Sequence, residues 1–193
     1  FDASDVSPQN EHTPFRTGSM YGLAKITEFN MGRYYRDKGM HVSMAFLYNH
    51  ESPRRAESFV TQKIVKNMVQ VKQGEIREFE LGNLDTIRDW GYAKDYVRGL
   101  YLMARQQSPG DYILATGKGH TVRDFITQVA KVLEISDWER HVKLKPEIIN
   151  RDFTTKLIGI PSIAERVLNW RRSVDFETLV KLMVESEIKG KMD

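Results

Sequence analysis

Two side chains four residues apart, Tyr21 and Lys25, lie in the stretch Thr17-Gly-Ser-Met-Tyr-Gly-Leu-Ala-Lys25. On a helix that spacing puts both on one face. An ammonium beside a phenol favours the phenolate, so this tyrosine is expected to ionise below its ordinary value of about 10. Such a pair can take a proton from a sugar hydroxyl while hydride leaves the same carbon for a nicotinamide. The same spacing recurs at Tyr34 and Lys38, just before Gly39, where a cation near a helix end has a purely structural explanation. Spacing alone leaves both readings open for Tyr21 and Lys25.

The pair needs a helix to hold it. The apolar positions Tyr21, Leu23, Ala24, Ile26, Phe29, Met31 and Tyr34 predict one from Tyr21 to about Lys38, heavily buried and ended by Gly39. Ser19 and Ser7 are candidate caps. The apolar run His41–Tyr48 reads as a buried strand of a parallel sheet, and helix, turn and strand together make one α/β unit. The polar loop Tyr48–Arg55 follows the strand's carboxyl end, where ligands of open α/β sheets bind; an exposed connection with chance charges is the other reading. A helix from about Glu57 to Val71 is expected to turn Phe59, Val60, Ile64, Met68 and Val71 inward, with Lys63 near its start.

Further on, Glu78–Leu81 reads as a short strand and Arg88–Tyr92 as a compact turn or edge strand. Arg88 could clamp a phosphate bidentately or pair structurally with Asp89. A helix over Ala93–Arg105 should carry Tyr96, Val97, Leu100, Tyr101 and Ala104 inward, and Asp111–Ala115 is a second buried strand. Thr116-Gly-Lys-Gly-His120 lacks the spacing of a phosphate loop. Thr121 and Asp124 predict a capping box for a helix reaching Leu133. Helices over Ser162–Leu168 and from Phe176 to about Ile188 follow, joined through a packed linker at Trp170. Lys143 and Lys145 read as solvated.

Composition narrows the function. With 193 residues, 40% hydrophobic and 28% charged, the chain suits one domain, or one and a half, with a sizeable core. The absence of cysteine removes disulfides, thiolate metal sites and cysteine nucleophiles, and fits a reducing cytoplasm. Five scattered histidines form no ligand cluster, so no metal is expected. No apolar run nears the roughly 18 residues that a membrane span needs, and no targeting peptide is visible. The net charge of +3 suits an anionic substrate such as a nucleotide sugar, but no basic block alternates with aromatics as nucleic-acid binding would require.

Several blocks taken together resemble the extended short-chain dehydrogenase/reductase superfamily and, within it, the GDP-mannose 4,6-dehydratase family. They are Thr13-Pro-Phe15, Tyr21-x-x-x-Lys25, Asn49-His-Glu-Ser-Pro-Arg-Arg55, Phe59-Val-Thr-Gln-Lys63, Leu81-Gly-Asn-Leu-Asp85, Arg88-Asp-Trp-Gly-Tyr-Ala-Lys-Asp-Tyr96 and Ala115-Thr-Gly117. The match runs from Phe1 to about Leu133, and more loosely over Ile160–Trp170. The resemblance implies the carboxyl-terminal part of an α/β Rossmann-type fold plus a small α/β substrate-binding domain. Residues 1–50 would complete the dinucleotide-binding domain and carry the active-site helix. Residues 51–193 would mainly bind the nucleotide sugar, returning a strand to the Rossmann sheet around 78–115. The Gly-rich strand–turn–helix of such enzymes, and a Ser/Thr and Glu just upstream of Phe1, have no counterpart here. The chain therefore reads as a piece of a longer enzyme that would not complete a turnover alone.

For function, the resemblance implies an NADP-dependent, cytoplasmic lyase acting on a GDP-sugar, a homodimer or homotetramer paired through the helix bearing Tyr21, with no nucleic-acid or membrane partner. Hydride would leave C4 as Tyr21 takes the O4 proton, water would leave across C5–C6, and hydride would return to C6. Lys25 would hold the nicotinamide ribose; His50 and Arg55 would touch the cofactor; Asn49, Lys63 and Arg88 would touch the sugar and diphosphate. The family's Arg-Ser-Pro-Tyr is here Gly18-Ser-Met-Tyr21, and its guanine-holding Arg-Pro-x-Glu-Val is here Asn150-Arg-Asp-Phe-Thr154, with Arg151 as the candidate arginine and no matching Glu. Two alternatives remain: a 4-epimerase or keto-sugar reductase on the same fold, and a non-catalytic ligand-binding module in which Tyr21 would be occluded.

Overall fold

The computed structural model describes residues 6–145 and 156–190. The chain divides into two compact units, one of residues 1–50, 89–119 and 155–173, the other of residues 51–88, 120–154 and 174–193.

The first unit begins its regular structure with α1, Met20–Asp37. Ser19 caps it, its hydroxyl accepting from the Gly22 N–H at 3.0 Å. Gly39, at φ +89°, turns the chain out of the helix, a conformation that glycine adopts without strain. Then come β1, Met44–Leu47, and β2, Asn49–Glu51. Later segments add β5, Trp90–Tyr92, which pairs with β2, then α3, Ala93–Ala104, and β6, Asp111–Leu114. β1 and β6 run parallel with Met44 opposite Asp111 and Leu47 opposite Leu114. Ile113, Leu114, Tyr96 and Trp170 fill the core beneath them. Trp170 is the packed linker expected of it: its indole N–H donates to the Asp95 carbonyl at 2.7 Å.

Three burial expectations fail here. α1 buries only Phe29, packed edge-on against Phe15 and at a tilt against Phe46 with ring centroids 4.9 and 5.3 Å away, while Met20, Leu23, Met31 and Tyr34 are exposed. The reason is geometric: two strands about 4.8 Å apart offer a surface that one stripe of a helix roughly 10 Å wide already covers. β1 is likewise half-buried and ends on an exposed Leu47. On α3 the buried face is Tyr96, Gly99 and Met103, whereas Val97, Leu100, Tyr101 and Ala104 face outward. Gly99 decides it, because a Cβ there would lie 2.6 Å from a Leu114 methyl; the missing side chain is what lets the helix approach.

The second unit is a three-helix layer with short strands. α2, Val60–Lys72, α4, Val122–Val132, and α6, Phe176–Gly190, pack on one another through fully buried Ile64, Met68, Phe125, Ile126, Val180 and Val184. β3, Phe79–Leu81, pairs parallel with β8, Val142–Leu144; β4, Ile87–Arg88, pairs antiparallel with β7, His120–Thr121. α2 turns Thr61, Gln62, Ile64, Val65, Met68 and Val69 inward; Phe59 and Val60, expected inside, are exposed because Phe59 is the helix cap rather than part of its first turn. The expected capping box is present: Thr121 Oγ1 accepts from the Asp124 N–H at 2.9 Å and Asp124 Oδ2 from the Thr121 N–H at 2.8 Å. Lys143 on β8 and Lys145 just after it are solvated as expected, and they pair with Glu78 and Glu80 of the β3 side. α5, Ser162–Val167, completes the first unit.

Candidate active site

On α1 the structure brings Tyr21 and Lys25 together. The Lys25 Nζ lies 5.8 Å from the Tyr21 ring centroid, and the tyrosine is 74% exposed. Lys25 also donates to Glu28 Oε2 at 2.7 Å, and that hydrogen bond and charge, with a smaller contribution from Tyr21, raise its pKa above the ordinary lysine value. The second copy of the spacing has the same geometry, with Lys38 5.5 Å from the Tyr34 ring. Geometry within the helix therefore does not separate the two pairs; their surroundings in the chain must.

Asn49 and His50 stand side by side on β2, both half-buried. The His50 Nδ1 lies 2.9 Å from the Tyr48 carbonyl. A carbonyl can only accept, so Nδ1 carries the proton, and in the neutral ring Nε2 presents a lone pair. The ring centroid sits 5.4 Å from that of Tyr96, which further fixes its orientation. Burial, with the charges of Asp89 and Glu11, pushes the Tyr48 phenol well above its usual range, and its hydroxyl donates to Gln9 Oε1 at 2.8 Å. Tyr48 is therefore a structural anchor for β2 and not an acid–base group.

In the second unit Arg55 precedes α2, its guanidinium carbon 3.5 Å from the Phe59 ring centroid. Lys63 is half-buried in the first turn of α2, its N–H donating to the Phe59 carbonyl at 2.9 Å. Arg88 is half-buried on β4 directly opposite His120; burial lowers its pKa, and its Nη1 donates to the Ile87 carbonyl at 2.7 Å. Arg151 lies outside the described residues.

Asp89, the structural partner weighed for Arg88, has an extensive set of bonds of its own. Its fully buried carboxylate accepts from the Thr116 N–H at 2.8 Å, the Thr116 hydroxyl at 2.6 Å, the Gly117 N–H at 2.9 Å and the Gly159 N–H at 3.3 Å. Burial raises its pKa above the usual carboxylate range against the pull of these donors. Asp89 thus ties the turn after β6 to the segment around Gly159. Asp95 does similar work, accepting from the Ser173 N–H at 2.9 Å and hydroxyl at 2.6 Å. Nothing in the spacing of these residues marked them as buried; only the fold brings in donors from such distant positions.

Within the first unit, a lysine beside a tyrosine has the donors for ribose hydroxyls and the His50 imidazole an acceptor for a carboxamide; within the second, the guanidinium stacked on Phe59 has the donors for a phosphate. Among the described residues no three His, Asp or Glu side chains gather as a metal site, and no helix is long and apolar enough to cross a membrane.

Solved structures place the fold. The UDP-glucose 4-epimerase of Thermotoga maritima superposes with TM-score 0.84 at 22% identity over 100% of this chain and 60% of that one. The RMD protein of Pseudomonas aeruginosa, solved with NADPH, gives 0.83 at 16% identity over 95% and 60%. The architecture is thus the α/β fold of the extended short-chain dehydrogenases/reductases, as expected from the sequence blocks. Within that class, the family model for GDP-mannose 4,6 dehydratase matches residues 2–183, and the chain belongs to that family. GDP-mannose 4,6 dehydratase 2 of Arabidopsis thaliana is 39% identical over 187 residues, 96% of this chain and 50% of that protein. The chain spans about half the length of the curated relatives it matches.

Proposed function

We propose that the protein containing this chain dehydrates GDP-mannose to GDP-4-keto-6-deoxymannose with NADP as internal redox carrier. The observation that carries the reading is the exposed Tyr21–Lys25 pair on α1 in a chain of this family. The name of the Arabidopsis relative supports the substrate, and the NADPH held by the RMD protein of the same fold supports the cofactor. Residues 1–50 would belong to the dinucleotide-binding side and residues 51–193 mainly to the sugar-nucleotide side.

Bound NADP would supply a hydride acceptor for C4 and a hydride donor for C6. Tyr21 takes the proton from O4, and a 4-ketone makes the C5 proton acidic enough to leave, which is why oxidation comes first. Lys25 holds the nicotinamide ribose beside that phenol. His50 and Arg55 fasten the cofactor. Asn49, Lys63 and Arg88 orient the sugar and diphosphate, with Arg151 toward the base. Incubating the protein as the cell makes it with GDP-mannose tests the reading: a 4-keto-6-deoxy product is expected, while GDP-talose, the product of C4 epimerisation, would mean an epimerase. A ligand-holding module with an occluded Tyr21 has no support in a side chain exposed to this degree.

Assembly into a homodimer or homotetramer through α1 is part of the proposal. Met20, at 80% exposure, and Leu23, Met31 and Tyr34 give that helix an apolar outer surface beyond what its own unit covers.

A further inference from the structure

Glu51 has no place in the roles above, yet it is the most unusual charge near them. Its carboxylate is 1% exposed, and a buried carboxylate is costly unless a cation and donors compensate it. Two groups do so. Thr61 Oγ1, in the first turn of α2, donates to Glu51 Oε2 at 2.6 Å, and Arg55 Nε lies 3.2 Å from the same oxygen.

Arg55 is thereby held on two sides. Glu51 draws the Nε side of the guanidinium, and the Phe59 ring covers one flat face at 3.5 Å. The side chain is only 18% exposed. Glu51 holds the guanidinium through charge, since the Nε has no hydrogen-bond partner, and among the described residues no hydrogen bond engages its two Nη atoms. Those atoms form an edge with which a guanidinium takes a phosphate bidentately. A long flexible side chain gains most from such restraint, since ordering it otherwise costs about 1.5–2 kcal/mol at the moment of binding.

We propose that Glu51 is a positioning residue: braced by Thr61, it fixes the Arg55 guanidinium against Phe59 with its Nη edge presented to a phosphate of the dinucleotide. The phosphate rests on the reading of Arg55 as a cofactor contact; the positioning itself does not. Glu51 touches no reacting atom and acts through Arg55.

The test uses the protein as the cell makes it, in four forms: wild type, Glu51→Gln, Arg55→Lys and the double variant. NADPH is titrated by its fluorescence and GDP by calorimetry. Protein labelled with 15N-arginine reports the Arg55 Nε–H resonance, assigned by its loss in Arg55→Lys. The expected result is that Glu51→Gln weakens NADPH about tenfold, the scale of one hydrogen bond to a charged group. It leaves GDP affinity unchanged, adds nothing to the loss in Arg55→Lys, and moves the Nε–H resonance toward that of free arginine. An unmoved resonance overturns the positioning role, as does a loss in the double variant equal to the sum of the single losses. If Arg55→Lys leaves NADPH affinity intact while Glu51→Gln still moves the resonance, the positioning stands and the cofactor reading of Arg55 falls.

Discussion

The Lys25 ammonium lies 5.8 Å from the Tyr21 ring centroid and is simultaneously bound to Glu28 at 2.7 Å. One cation thus serves two neighbours on the exposed side of α1, a phenol one turn before it and a carboxylate nearly one turn after. A ribose hydroxyl arriving at Lys25 would have Glu28 as a competitor, because an ammonium has three donors and a strong acceptor already takes one.

Replacing Arg88 separates a substrate clamp from a structural cation. Arg88→Ala is expected to weaken GDP binding by about 1.5–3 kcal/mol, the range for a hydrogen bond to a charged group. Calorimetric titration with GDP at fixed salt reads it. An unchanged dissociation constant would exclude Arg88 from the diphosphate site.

The outer surface of α1 is expected to hold two copies together. Leu23→Glu with Met31→Glu puts like charges where those copies would meet and leaves the buried Phe29 contact intact. Light scattering after size exclusion should show the mass falling to that of one protomer, with the circular-dichroism spectrum preserved. A mass equal to that of the wild type would move the interface elsewhere.

How far the sequence reached is clearest in the helices. α1, α2, α3 and α4 were legible because their apolar periodicity, glycine stop or capping box are local signals. The sides they bury were less so. On α3 the inward face follows Gly99, which carries no hydrophobic signal, and on α1 the width of a two-strand surface limits burial to Phe29. Tyr21, Lys25, Asn49, His50, Arg55, Lys63 and Arg88 could be named from motif blocks. Glu51 stood in the same blocks unread, and Asp89 was read only as a partner for Arg88, because their contacts depend on Thr61 in one case and on Thr116, Gly117 and Gly159 in the other.

The cap of α4 gives a pH-dependent stability prediction. Burial works against the Asp124 carboxylate, but the Thr121 N–H and hydroxyl, with His120 and Arg123 nearby, hold its pKa below the usual carboxylate value. A folded value depressed below about 3.9 means a contribution fully present above that pH and lost as pH falls through the folded value. Thr121→Ala should cost about 1 kcal/mol at pH 6. Between pH 6 and pH 3 the urea midpoint of Asp124→Asn should fall less than that of the wild type. Equal falls would mean that this carboxylate is not linked to folding.

The most direct test of the proposed chemistry compares the two tyrosines that share one geometry. In the protein as the cell makes it, Tyr21→Phe should lower kcat for GDP-mannose dehydration by about 10²–10⁴-fold, the usual worth of a positioned acid–base group, while GDP-mannose still binds. Tyr34→Phe, with Lys38 equally near at 5.5 Å, should leave kcat unchanged. A Tyr21→Phe protein that turns over at the wild-type rate would contradict the role given to the pair.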